Sequence, residues 1–86
     1  MKTYNGHRSW NAWNVSLWID NDEYLYNLAL DCVEKSKCLN GATRKFLKHA
    51  PSKYTPDGAR YNFLVVKLTL KNFWDEQQSI NDTNNI

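Results

Sequence analysis

Apolar residues recur along this chain at helical spacing, and the first such stretch is unlike the others. Between Ser9 and Glu23, Trp10, Trp13, Leu17 and Trp18 take the i, i+3, i+7 and i+8 positions of one helical face, with Asn14 in its middle. Ser9 is a candidate N-cap for a helix over about 10–19. Ala12, Val15 and Ile19 make the other side apolar as well, and a helix that is apolar nearly all round predicts central burial. Trp10, Trp13, Trp18 and Asn14 are therefore expected as the scaffold of the core. A buried Asn14 must have its amide satisfied, and the backbone of Tyr4 to Gly6 is the candidate partner.

The pattern then becomes cleaner. Leu25, Leu28, Ala29, Cys32 and Val33 share one face of a helix over about 23–36, capped by Asp22 or Asn21, with Asn27, Asp31 and Glu34 opposite. Asn40-Gly41 reads as a turn, and a short helix over about 42–50 presents Phe46 and Leu47 inward before Pro51 ends it. Thr55-Pro56-Asp57-Gly58 has the residues of a type I turn. Val66 to Lys71 alternates apolar with polar, the period of a strand, yet no second strand candidate exists to pair with it. The reading adopted is an extended segment through about Leu68, then a helix capped by Thr69 or Asn72 and carrying Leu70, Phe73 and Trp74 inward. The fold class is mainly α: a compact bundle of three to four short helices, with an extended segment or strand near 61–68. One domain over 1–80 and a polar, frayed tail over 81–86 complete the expectation.

Composition narrows the classes of activity. At 86 residues, 42% hydrophobic and 14% aromatic, the chain suits a single packed domain and not a disordered one. No apolar run approaches a membrane span and Met1 to Tyr4 lacks the start of a signal peptide, so the expected location is the cytoplasm of a host cell. There, Cys32 and Cys38 would be thiols, with Cys32 a core residue. Neither cysteine makes metal-ligand spacing with His7 or His49, so no metal and no cofactor is expected. Phosphate-loop, nucleophile-elbow and dinucleotide motifs do not occur. Asp22 and Glu23 are adjacent, so on a helix their side chains diverge by about 100° and do not form an acid–base pair. The chain is read as a binder, not an enzyme.

Net charge is only +2, but its distribution is uneven. Asp20, Asp22, Glu23, Asp31 and Glu34 fall in a stretch without bases; Lys35, Lys37, Arg44, Lys45, Lys48 and Lys53 follow in one without acids. Helix dipoles account for Asp22, Glu23 and Lys35 but not for Arg44, Lys45 and Lys48. Two binding chemistries fit. In one, Arg44, Lys45 and Lys48 with Tyr24 or Tyr26 contact a protein partner, and Asp22, Glu23 and Asp31 form an acidic second patch. In the other, the basic region 35–53 binds nucleic acid phosphates, with Tyr54 and Tyr61 as stacking groups. Spare aromatic surface also allows a homodimer.

Tyr4-Asn5-Gly6, Trp13-Asn14-Val15-Ser16-Leu17-Trp18 and Asn21-Asp22-Glu23 resemble the opening of a group of small uncharacterised phage and plasmid proteins. Ala12 and Ser16 stand where that group usually has Thr and Ala, and Thr55-Pro56-Asp57-Gly58 is similar to a turn common among them. The resemblance implies a mobile-element setting, where small accessory proteins often inhibit host defence by stoichiometric binding. The expectation is such an inhibitor of a host protein complex, with a CRISPR–Cas effector as the first candidate.

Overall fold

A computed structural model describes the backbone of residues 9–84 and the side chains of residues 9–77. Four helices follow one another: α1 (Trp10–Asn21), α2 (Glu23–Lys35), α3 (Leu39–His49) and α4 (Phe63–Asn84). Among the described residues there is no strand; one isolated antiparallel bridge joins Tyr54 to Arg60 in the connection between α3 and α4. Asn5-Gly6 lies outside the described residues.

The caps explain why the chain turns where it does. Ser9 Oγ accepts from the Ala12 N–H at 3.1 Å and starts α1. Asp22 serves two helices: its N–H donates to Trp18 O at the end of α1, and its carboxylate accepts from the Leu25 N–H at the start of α2. A single residue doing both leaves no room for a loop between α1 and α2. Cys38 caps α3, its Sγ accepting from the Gly41 N–H at 3.3 Å. Helix three thus begins at Leu39 and runs through Asn40-Gly41, which the sequence presents as a turn. Pro51 follows its C-cap, Ala50, as expected.

The core is a single cluster. Val15 and Ile19 of α1, Leu25, Ala29, Cys32 and Val33 of α2, Ala42 and Phe46 of α3, and Val66, Leu70 and Phe73 of α4 are buried together with Ala59 and Tyr61. Burial, and then the Asp31 carboxylate, push the Cys32 thiol above its ordinary pKa, as suits a packing group. The expected indole scaffold is not what fills this space. Trp10 is 40% exposed, Leu17 nearly as much, and Trp13 and Trp18 are half-buried. α1 packs on α2 and α4 but, among the described residues, not on α3. Only part of its circumference is covered by helices, and the compact branched residues Val15 and Ile19 occupy that part. The indoles flank it.

The largest departure from expectation is α4. Asn62 caps it, accepting from the Val65 N–H at 2.9 Å, and the helix starts at Phe63 with no extended segment over 63–68. The strand-like alternation of Val66 to Lys71 is incidental. Val66, Thr69, Leu70 and Phe73 are buried at helical spacing, whereas Leu64 and Leu68 are 64% and 53% exposed. A lone strand would leave its backbone groups without partners, and the helix satisfies them internally. The helical backbone continues over 81–84, part of the stretch expected as tail; Asn85 and Ile86 lie outside the described residues.

Helix and strand put Leu68 in opposite environments, and substitution separates them. Leu70→Ala should cost about 3 kcal/mol of unfolding free energy, as for a cavity in a packed core. Leu68→Ala should stay within about 0.5 kcal/mol. Urea unfolding measures both. Equal losses at the two sites would require them to share one buried face, as in a strand.

Candidate binding surface

The connection between α3 and α4 is held in place by α1. Asn11, Asn14 and Trp18 lie on one side of that helix at spacings of three and four. Asn11 binds both backbone groups of Arg60: its Nδ2 donates to Arg60 O at 3.0 Å and its Oδ1 accepts from the Arg60 N–H at 2.8 Å. Asn14, fully buried, accepts from the Thr55 hydroxyl at 2.6 Å and donates through Nδ2 to Asp57 Oδ2 at 2.9 Å. The Trp18 indole N–H donates to the same Asp57 oxygen at 2.9 Å. Thr55 Oγ1 in turn accepts from the Ala59 N–H at 3.0 Å, so its one proton is directed to Asn14. The expected role of Asn14 as a tie to a loop is right in kind, but among the described residues the partners are two side chains of the turn.

That turn has the geometry its residues favour. The Gly58 N–H donates to Thr55 O at 2.9 Å and the Thr55 N–H to Ala59 O at 2.7 Å. Gly58 adopts φ +94°, a left-handed value that a side chain would strain. The pattern is a tight turn followed by a left-handed residue, the common three-residue hairpin connection. Asp57 is exposed, and its two donors, Asn14 first and then Trp18, hold its carboxyl below the ordinary pKa.

The clamp shapes a cleft. Arg60, fixed by Asn11, joins Lys53, Lys48, Leu47, Pro51 and Tyr61 around a space of about 450 Å³ at the end of α3. Tyr61 is buried, its hydroxyl pKa raised by that burial and by the Asp22 carboxylate, and its ring packs edge-on to Phe46. It is therefore not available to stack on a base. Tyr54, half-exposed, is.

The other sequence candidates are dispersed. Tyr24, Asp31, Lys45 and His49 line a second cleft of about 390 Å³ between α2 and α3. Within it Lys45 donates to Lys35 O at 3.0 Å, capping the carbonyl end of α2, and Asp31 pairs with Lys35 at 2.9 Å. Asp22 is a helix cap and Glu23 sits exposed in the first turn of α2. Tyr26 packs edge-on to Phe73, with centroids 5.4 Å apart. Arg44 lies over the Phe63 ring at 6.0 Å, and Lys48 follows it one turn along α3. The acids are thus largely occupied in holding helices, while Arg44 and Lys48 lead towards Lys53 and Arg60.

Sequence reasoning missed Arg60 and the outward side of α4. Phe63, Leu64 and Leu68 are exposed there, with Lys67 and Lys71 at the same helical face as the two leucines. The signal was present as the i, i+4 pair Leu64 and Leu68, but an extended reading of 61–68 hides it. Arg60 could be found only with knowledge that Asn11 binds its backbone. Among the described residues, no three His, Cys, Asp or Glu side chains form a group able to hold a metal ion.

The chain belongs to a family described as a family of unknown function (DUF7249), whose model matches residues 1–84. No curated protein and no solved structure matches it.

The clamp makes two predictions. Asn14→Asp sets a second carboxylate against Asp57; the thermal midpoint should fall at neutral pH, and the deficit should shrink as the pH falls towards about 4, because facing carboxylates take up a shared proton at a higher pH than either would alone. Adding Asp57→Asn removes the repulsion and lets its amide donate to the new carboxylate, but the atom that accepted from the Trp18 indole is then a donor, so recovery should be partial. Separately, the Asp57 value is lower folded than unfolded. Its contribution is complete above the unfolded value of about 4 and is lost as the pH falls through the folded value. Asp57→Asn alone should lower the neutral-pH midpoint and flatten this acid-side decline, read from midpoints across that range.

Proposed function

We propose that the protein is a mobile-element accessory factor that inhibits a host defence complex by stoichiometric protein binding, with a CRISPR–Cas effector as the first target to test. The observation that carries this reading is the outward side of α4. Phe63, Leu64 and Leu68 leave apolar surface in water beside Arg44 and Lys67, with Lys71, paired to Asp75 at 2.9 Å, at its edge. Exposed aromatic and aliphatic groups edged by cations suit a partner that offers an apolar depression with acidic margins. Aromatic residues and arginine are also enriched where binding energy concentrates. The resemblance of the opening residues to phage and plasmid proteins supplies the setting.

Arg44 belongs to this surface through the Phe63 ring, Lys48 stands one turn further along α3, and Tyr24 and Tyr26 are exposed on α2. Stoichiometric binding gives inhibition that saturates at equal amounts of protein and target, without turnover. The test is inhibition of a purified effector, together with co-elution on size exclusion. Leu64→Glu with Leu68→Glu should abolish both, and charge reversal at Arg44 and Lys48 should weaken them at least tenfold. The thermal midpoint should stay within a few degrees, since these are surface positions. Inhibition that survives all four substitutions would remove this surface as the contact.

A further inference from the structure

The cleft at the end of α3 has a charge arrangement that the fold itself does not require. Lys48, Lys53 and Arg60 line it and no acid does. Lys48 has an internal reason to be there, since it stands in the last turn of α3, where the carbonyl end favours a cation. Lys53 and Arg60 come to the same end of α3 from outside the helix, so three cations gather where one already answers the helix end. The two sit on opposite arms of the α3–α4 connection, which the Tyr61 N–H draws together by donating to Lys53 O at 3.0 Å, and both border the cleft. Asn11 then holds Arg60 at both backbone groups. Among the described residues neither side chain forms an ion pair with a carboxylate. Three like charges gathered around one space repel each other, and an anion in that space relieves the repulsion.

Tyr54 indicates which anion. It faces Arg60 across the antiparallel bridge, and directly opposed residues project to the same side with Cβ atoms about 5 Å apart. Its ring is half-exposed. An aromatic face beside a row of cations matches a strand of nucleic acid, whose phosphates follow the charges while a base stacks on the ring. An acidic peptide offers that ring a flat group only where it happens to carry an aromatic residue, whereas every nucleotide carries one beside its phosphate. A duplex is too wide for a cleft of about 450 Å³, and its bases are not free to stack.

We infer that the Lys48–Lys53–Arg60 cleft binds the phosphates of a single-stranded nucleic acid, with Tyr54 as the stacking platform for an adjoining base. This inference rests on the α1 clamp and the connection; it shares Lys48 with the proposed protein contact but not Leu64, Leu68 or Arg44, whose variants separate the two.

The test is fluorescence anisotropy of the full chain with a labelled single strand of about ten nucleotides, DNA and RNA in parallel. Contact with three phosphates predicts that log K falls with log salt at a slope near −2, about −0.7 for each phosphate. Lys53→Gln and Arg60→Gln should each flatten the slope by about 0.7, and Tyr54→Ala should weaken binding about tenfold while Tyr54→Phe keeps it. Leu64→Glu and Leu68→Glu should leave it unchanged. Thermal midpoints of the variants, all at exposed positions, verify that they fold. No binding at low salt overturns the inference, as does binding indifferent to Lys53→Gln and Arg60→Gln. Displacement by inorganic pyrophosphate with no effect of Tyr54→Ala would reduce the cleft to a simple anion site and overturn the nucleic acid assignment.

Discussion

Asn14 is 1% exposed, and an amide so placed must find a donor for its oxygen and an acceptor for its nitrogen. Both come from one short turn: the Thr55 hydroxyl and the Asp57 carboxylate. The turn in turn depends on Asn14, because Thr55 also receives the Ala59 N–H and so aligns the far side of the hairpin. Asn11 and Trp18 extend the same contact one turn in each direction along α1. Without this set the connection from α3 to α4 would be held mainly by the burial of Ala59 and Tyr61 and by its own few hydrogen bonds. With it, α1 fixes where α4 begins and where Lys53, Tyr54 and Arg60 stand.

Much of this was visible in the residues, but in separate pieces. The periodicity of α2, the capping by Ser9 and Asp22 and the stop at Pro51 are local properties, and local patterns report them faithfully. Asn14 and Thr55-Pro56-Asp57-Gly58 each stood out as well. Their partnership did not, because residues 41 and 43 positions apart share no periodicity that would reveal it. The side of α1 that enters the core was misread for a related reason. Bulk suggests that indoles lie inside, yet a helix covered on part of its circumference buries what fits the gap, and here that is Val15 and Ile19.

Two boundaries show competition between local signals. At Asn40-Gly41 the turn propensity of the pair loses to Cys38, whose sulfur takes a free N–H of the first turn and allows α3 to start earlier. From Phe63 onward, alternation over six residues competes with a longer helical repeat formed by Val66, Leu70 and Phe73. The helix prevails because Asn62 caps it and because no other strand is available for pairing. The error in reading this segment is what hid the exposed leucines.

The charged blocks take on a different meaning once the helices are placed. Consecutive in sequence, they suggest two opposed patches. In space, Asp22 caps α2, Asp31 pairs with Lys35, and Lys45 closes the end of α2, so a good share of the acidic block and one central base are occupied in joining helices. On the side of α3 what is left over is basic: Arg44 on Phe63, Lys48 one turn further on, and Lys53 and Arg60 from the connection beside Lys48. A charge that caps a helix or pairs with a neighbour has its field largely spent within the molecule, whereas an unpaired row projects into solvent. The modest net charge of +2 therefore understates the basicity of the one surface that the α1 clamp holds in shape.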